Sequence, residues 1–544
     1  MEPNFQPTNP ATGEALPLVH FQDVSEVPKA MERARAAQRE WSKLSYSQRG
    51  KHLLKIRDFL SEHADHASTL ISQYTGKLKQ DALATEVLPS LLGCAWYATN
   101  TARVLRPETL PRGSLLFANK RNTLVYEPLG VVGIISPWNY PFSIPFGEIL
   151  MALMAGNAVL LKVSSHVTAI GEFITTCIAA GGLPEGLFQH LVLPGPKAGP
   201  ALLHAGIAKI FFTGSVRVGK GLMADAAPYL TPLSLELGGN DAMVVLDDAD
   251  LERAVNCACW AGFQNAGQSC GGVERVYVDR ALYDAFLARL VEKTRALRHG
   301  AERGAFDVDL GAITTAAQLE AIQAQLNEAV AMGARVVAQS RAADADPAGN
   351  RNPDGGESTQ GRFFPATVVV GCTPEMRLMR EETFGPILAV VPFDSEDEAV
   401  ELANGTTLAL TSSVFSRNAS RARAFARRLE SGVVTVNDHL FSHGMTEAPW
   451  GGWKESGLGR THGILGLREM CNVKCINEDL IPSRWMPRNL WWYPFSKQTY
   501  EVLLAAQRLV SARRISERIA AVFFIIKNCG YMFRPWRISE KKSD

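Results

Sequence analysis

The chain has 544 residues, 46% of them hydrophobic and 20% charged, with a formal net charge of +1. That length exceeds one ordinary core, so two or three domains are expected, and the balanced charge gives no footprint for nucleic acid. The first 17 residues hold no basic segment followed by an apolar run, and no apolar stretch reaches the roughly 18 residues that span a bilayer, so neither a secretory signal nor a transmembrane helix is expected.

Residues 25–105 read as helices with charged faces, as in VPKAMERARAAQREW and QRGKHLLKIRDFL. From about residue 122 the texture changes. TLVYEPLGVVGIISP is rich in Val, Ile and Leu and broken by Gly and Pro, as buried strands are. AGNAVLLKV, FQHLVLPG and HAGIAKIFFTG then read as strands, with TAIGEFITTCIAAG as a helix between the first two. This alternation predicts βαβ units and a parallel sheet. A second such region, about 240–440, offers AMVVLDDA, ERVYVD, ARVVAQ, FFPATVVVG, ILAVVPF and SGVVTVN as strands. Residues 341–361, polar and rich in Gly, Asp and Asn, read as a solvent loop.

Residues 481–544 differ from the rest, with 12 Lys or Arg against 4 Asp or Glu. Four of the ten tryptophans lie here: Trp485, Trp491, Trp492 and Trp536. Apolar residues at 515, 519, 522 and 526 form a helical stripe among Arg513, Arg514, Arg518 and Lys527. Basic charge, interfacial aromatics and an apolar stripe suit a helix lying on an anionic membrane surface. The competing reading is a tail packed on a neighbouring subunit.

Nine cysteines, at 94, 177, 257, 259, 270, 372, 471, 475 and 529, form no CxxC pair. Their odd number and dilution predict free thiols in a reducing cytoplasm. Cys257 and Cys259 lack partners at zinc-like spacing and read as apolar thiols, so no metal site is expected.

Five segments carry chemistry. In FQNAGQSCGG, small residues around Cys270 leave a thiol accessible, as a nucleophile requires together with a lowered pKa. In LSLELGGND, Glu236 lies in an apolar run, where desolvation raises a carboxyl towards the range of a general base; the alternative is a strand-end carboxylate capped by backbone. In ISPWNYPFSIPF, Asn139 sits in a rigid aromatic turn, as an oxyanion donor or a plain turn residue. FFTGSVRVGKGL runs from a strand through Gly214 and Ser215 into a helix, offering a helix N-terminus to phosphate, although it is neither GxGxxG nor a P-loop. MREETFGP places Glu382 and Phe384 two apart before a strand, able to clamp a ribose and a ring.

PWNYP, LLK, FTGSxxxG, LELGG, GQSC, EETFGP and PWGGWKESGLGR occur in that order, and together they strongly resemble the aldehyde dehydrogenase superfamily over about residues 5–480. The resemblance implies an α/β fold: a Rossmann-like dinucleotide-binding domain (1–108 and 129–238), an α/β catalytic domain (239–440), a small β oligomerisation hairpin (109–128 and 466–478), and outside it the basic aromatic C-terminal extension 481–544. It implies an oxidoreductase that converts a small-molecule aldehyde to a carboxylate with NAD(P)⁺, as a homodimer or homotetramer. Cys270 corresponds to the nucleophile, Glu236 to the base that activates the deacylating water, and Asn139 to the oxyanion donor. Lys162 corresponds to the contact with the adenosine ribose, Gly214 and Ser215 to the pyrophosphate site, and Glu382 to the nicotinamide ribose ligand. Phe384 and Trp138 correspond to residues beside the nicotinamide. The implied path is a thiohemiacetal, then a thioester on Cys270, then hydrolysis.

Two positions depart from the family pattern. Ser165 stands three residues after the Lys of LLK, where many NAD-preferring members carry Glu; without that charge a 2′-phosphate is not repelled, so NADP⁺ is expected to be accepted. Asn240 replaces a common Lys, with no consequence that follows from sequence. The helix after PWNYP is expected to line the substrate tunnel with Phe142, Ile144, Phe146 and Gly147, followed by Glu148; an apolar tunnel favours an uncharged aliphatic or aromatic aldehyde, with succinate semialdehyde or another anionic aldehyde as the alternative. Intact Cys270, Glu236 and Asn139 argue against a structural protein that kept only the fold, and Glu236 against a CoA-acylating relative. Peripheral membrane contact through 481–544 accompanies the cytoplasmic expectation.

Overall fold

The computed structural model describes residues 4–302, 306–343, 361–489 and 491–535, apart from the side chain of Leu115. Most of the expected loop 341–361, and Trp536, lie outside the described residues. The chain divides into two compact units, Met1–Leu105 with Pro128–Asn472, and Arg106–Glu127 with Val473–Asp544.

In the larger unit one sheet runs in the order Gly457–Leu458, Leu233–Glu236, Lys209–Thr213, Val131–Ser136, Ala158–Val163, Phe188–His190. The last five are parallel and Gly457–Leu458 is an antiparallel edge. Val131–Ser136 and Ala158–Val163 are buried at every position, as strands covered on both faces must be, which is why their sequences read as unbroken apolar runs. Numbered along the chain, the parallel strands stand in the order 3-2-1-4-5. In doubly wound sheets of this order the ligand crevice opens beyond the carboxyl ends of the strands, where the order reverses. Here that point lies between Val131–Ser136 and Lys209–Thr213.

The second sheet has seven strands: Arg335–Gln339, Thr367–Val370, Ile387–Phe393, Val273–Asp279, Asp241–Val245, Thr411–Phe415 and Val433–Val436. All are parallel except the Arg335–Gln339 edge. Alternation along Asp241–Val245 sends Ala242 and Val244 into one core with Ile322 and Phe393, and Met243 and Val245 into another with Val255 and Phe286. Each fully buried side chain of this kind contributes roughly 1.5–3 kcal/mol. Thr411–Phe415 escapes a hydrophobicity reading because it begins Thr-Ser-Ser. Its polar residues are buried because they are bonded: Thr411 donates to Asp241, Ser412 pairs with Ser431, and Ser413 with His439. All nine cysteines are free thiols; Cys257 and Cys259 pack partly buried against the second core, and burial pushes them up to about 12 and about 11.

The smaller unit holds a three-stranded sheet of Glu108–Thr109, Lys120–Pro128 and Cys471–Asp479. Arg121–Glu478, Lys120–Asp479 and Lys474–Glu127 ion pairs tie its long strands. Within the segment 466–478, the helix Gly463–Glu469 ends first and the strand begins at Cys471. Two helices follow, Lys497–Ser511 and Ile515–Asn528. The expected stripe is corrected at one position. Val522 turns inward and lines a cavity of about 270 Å³ with Ile525 and Leu509, while Phe523, 70% exposed, joins Ile515, Ile519 and Ile526 on the outer face. Among the described residues no helix is long and apolar enough to cross a membrane.

Candidate active site

Beyond the helix Leu251–Phe263 the backbone of Asn265 (φ 54°), Ala266 (φ 53°) and Gly267 (φ 72°) runs left-handed. Two non-glycine residues in that region cost roughly 1 kcal/mol or more each, so the surroundings must hold them. Gln268, fully buried, does much of this. Its Nε2 donates to the carbonyls of Asn265 (3.0 Å) and Ala312 (3.2 Å), and its Oε1 accepts from the Thr314 N–H (2.9 Å). Cys270 is thereby fixed between that helix and the strand Val273–Asp279.

Glu236 ends its strand between Thr213 and Gly457. The chain then runs so close to the nucleophile that a Cβ at Gly239 would stand 2.4 Å from the Cys270 carbonyl oxygen. Ser456 clamps the same turn: its carbonyl accepts from the Leu237 N–H (3.0 Å) and its Oγ donates to the Gly238 carbonyl (2.7 Å). LELGG, GQSC and KESGLGR therefore form one packed unit, although more than 200 residues separate the first from the last. Both Glu236 carboxyl oxygens are buried without a hydrogen-bond partner among the described residues. Burial, and after it the charge of Glu148, holds this carboxyl well above its usual range, partly offset by Arg460. A base without competing hydrogen bonds is free to bind a water. The Cys270 thiol is also pushed up, first by burial and then by Glu382, Asp241 and Glu236. The surroundings of Cys270 thus do not supply the lowered thiol pKa that a nucleophile requires.

Asn139 follows the strand Val131–Ser136. Its Nδ2 donates to the Gln268 carbonyl (3.1 Å), and its own carbonyl accepts from Asn265 Nδ2 (3.2 Å). One N–H of the amide is thus used to fix it, leaving the other to donate. Trp138 meets Phe384 edge to face, ring centroids 5.6 Å apart. Phe384 has φ 51° and is held by Glu274, whose carboxylate accepts from the Thr383 (2.9 Å) and Phe384 (2.8 Å) N–H groups. Glu382 accepts from the Gly239 N–H (3.1 Å). Asn240, opaque from sequence, has a clear role: its Nδ2 donates to Glu274 (3.1 Å) and to the Glu381 carbonyl (2.6 Å), tying LELGG to EETFGP.

The remaining predicted residues lie at the carboxyl ends of the first sheet. Lys162 is in the last turn of Ala158–Val163, and Ser165 begins the short helix Ser165–Val167. Gly214 and Ser215 follow Lys209–Thr213, and Ser215 caps the 11-residue helix Val216–Ala226. Lys162 is 6% exposed, has no carboxylate beside it, and is drawn down to about 8 by burial. A buried ammonium without a counterion and an open helix N-terminus, on strands either side of the reversal point, fit a dinucleotide with its ribose hydroxyls and phosphates.

Two neighbouring cavities, of about 10 and 30 Å³, adjoin the nucleophile and share His443 and His462. The inner one is lined by Ile144, Glu148, Glu236, Cys270 and Trp450 among others, the second by Ser143, Gly147 and Tyr97. Of the helix residues expected to line a tunnel, Ile144 and Gly147 do so. Phe142 and Phe146 instead stack on each other at 4.8 Å within the core, because the inward face of Ser143–Ala155 packs under the sheet. His443 and His462 carry no sequence signal; both sit in loops among small residues, and burial lowers them to about 4 and about 3.

The aldehyde dehydrogenase family model matches residues 2–476. A 4,4′-diapolycopene aldehyde oxidase of Methylomonas sp. is 34% identical over 91% of this chain and 88% of its own length. A Mycolicibacterium smegmatis protein, provisionally named an NADP(+)-type succinate-semialdehyde dehydrogenase, is 34% identical over 92% of this chain and 93% of its own. Among solved structures, lactaldehyde dehydrogenase from Escherichia coli has a TM-score of 0.79 at 31% identity, covering 88% of this chain and 96% of that one. Betaine aldehyde dehydrogenase from Staphylococcus aureus, solved with NAD⁺, has a TM-score of 0.79 at 29% identity, covering 88% and 92%. Fold, motif order and these likenesses agree: the chain belongs to the aldehyde dehydrogenase family.

Proposed function

We propose that the protein oxidises an uncharged, largely apolar aldehyde to its carboxylate with NAD(P)⁺. The observation that carries the reaction is an unpartnered Glu236 sharing one buried cavity with Cys270, with Asn139 bonded to the Gln268 carbonyl two residues before that cysteine. The Cys270 sulfur adds to the aldehyde carbon while its proton passes to a base. The free Asn139 N–H and the Cys270 backbone N–H steady the oxyanion. Bound NAD(P)⁺ supplies the two-electron acceptor. Lys162 would hold its adenosine ribose, Gly214 and Ser215 its pyrophosphate and Glu382 its nicotinamide ribose, with Trp138 and Phe384 beside the nicotinamide. Glu236 then takes a proton from the water that hydrolyses the thioester.

The substrate class follows from the cavity walls. Neither of the two cavities has a Lys or Arg in its lining to receive a second carboxylate such as that of succinate semialdehyde. The relative named for a long polyene aldehyde is consistent with this reading. The test is kcat/KM over a panel of aldehydes with both cofactors, with Cys270→Ala as control; a preference for succinate semialdehyde over neutral aldehydes of similar length contradicts it.

Two further assignments concern the smaller unit. The strand Cys471–Asp479 stands at the edge of its sheet and is exposed from its second residue onward, a long edge that needs covering, so a homodimer or homotetramer joined there is proposed. The outer stripe of Ile515, Ile519, Phe523 and Ile526, flanked by Arg514, Arg518 and Lys527, is proposed to rest on an anionic bilayer. Flotation with anionic vesicles tests this: wild type should float and Ile519→Glu/Phe523→Glu should not. Equal behaviour of the two sinks the membrane reading and favours a tail packed on a neighbouring subunit.

A further inference from the structure

The helix Ser143–Ala155 is buried nearly throughout and carries one charged residue, Glu148. A carboxyl in such a place must be paired or neutral. Glu148 is 4% exposed, and its Oε2 has no hydrogen-bond partner among the described residues. Burial raises it to about 8. It shares the inner cavity with Cys270 and Glu236. The other charged or titratable groups around this pair are His443, His462, Arg460 and Glu469.

Unpartnered polar atoms gather here. Glu236 contributes both carboxyl oxygens, Glu148 its Oε2, and Thr213 and Thr461 their hydroxyls, while His462 contributes Nδ1. All five residues line the inner cavity. His462 belongs to the second cavity as well, which adds the unpartnered Ser143 hydroxyl. The His462 ring lies against the turn that bears Glu148, its Nε2 3.7 Å from where a Cβ on Gly147 would stand. Spaces of about 10 and 30 Å³ have room for single waters beside these polar atoms.

We propose that Glu148 receives the proton that Glu236 takes from the deacylating water and hands it on past His462 to the second cavity. This rests on the reading of Glu236 as general base. In the step, a water O–H bond breaks, its oxygen bonds to the acyl carbon, and the C–S bond to Cys270 breaks with its electron pair going to sulfur. The proton moves to Glu236 and then to Glu148. A neutral carboxylic acid can give one proton while accepting another, so no net charge accumulates in the dry cavity. Without such an acceptor, Glu236 stays protonated after each turnover and cannot activate the next water.

Glu148→Gln keeps the shape and removes the exchange; Glu148→Asp keeps the exchange. Rapid mixing of enzyme, cofactor and aldehyde, following reduced cofactor, separates the two halves of the reaction. Glu148→Gln should give a burst of about one reduced cofactor per site at near wild-type rate, then a steady state at least about tenfold slower. Glu148→Asp should recover most of the steady state. A wild-type steady state in Glu148→Gln, with Glu236→Gln slow, overturns the relay alone. Loss of the burst together with the steady state also overturns it, since that marks a misplaced site. A normal steady state in Glu236→Gln overturns the underlying base assignment.

Discussion

Gly239 and Cys270 are in backbone contact: a methyl group on the glycine would lie 2.4 Å from the cysteine carbonyl oxygen, with Asp241 Oδ1 crowding it at 2.7 Å. This contact sets the strand that ends at Glu236 against the loop that carries Cys270. Gly239→Ala must therefore displace backbone, and a shift of about 1 Å costs about 100-fold in rate. The expected result is a folded protein by circular dichroism with kcat/KM reduced about 100-fold. Unchanged kinetics would mean that the contact does not position the site.

Cofactor choice turns on Ser165. With no carboxylate there, NADP⁺ should be used at a kcat/KM no more than about tenfold below that of NAD⁺. Ser165→Glu should lower kcat/KM for NADP⁺ by at least about tenfold through charge repulsion, while changing NAD⁺ little. An equal effect on both cofactors contradicts this placement.

His443 stands between the two cavities, its ring 4.8 Å from Trp450 and 5.2 Å from His462. His443→Ala removes that wall. Bulky aldehydes should gain about tenfold in kcat/KM relative to acetaldehyde, a difference of about 1.4 kcal/mol. A panel that shifts uniformly would show that the ring does not limit size.

Glu148 also makes a prediction about stability. Its folded pKa, about 8, lies above the ordinary value of 4.5, so its contribution is fully present below the unfolded pKa and is lost as pH rises towards the folded one. Glu148→Gln removes that penalty. Its Tm should match wild type near pH 5 and exceed it near pH 9, by an amount corresponding to at most a few kcal/mol. A Tm difference independent of pH contradicts burial of this carboxyl in the folded state.

The sequence carries the architecture where one physical cause dominates. Val131–Ser136 and Ala158–Val163 read as strands because burial on both faces leaves only apolar residues. Cys270, Glu236 and Asn139 are legible through local motifs whose glycines and prolines restrict the backbone. Thr411–Phe415 is hidden because its burial depends on hydrogen bonds with Asp241, Ser431 and His439, which arise only in three dimensions. Asn240, His443 and His462 are silent for the same reason. The Cys270 thiol reads as accessible from its small neighbours, but burial, and after it three carboxyl groups brought in from elsewhere in the chain, pushes its pKa up. The stripe at 515–526 is found by periodicity, yet periodicity alone does not tell Val522 from Phe523.

The most direct test is intact-protein mass spectrometry of Glu236→Gln quenched in acid during turnover with a neutral aldehyde and NAD(P)⁺. A mass increase equal to one acyl group, mapped to Cys270 and absent in Cys270→Ala, is the expected result. An unmodified Cys270 under turnover, with activity surviving Cys270→Ala, would contradict the assignment.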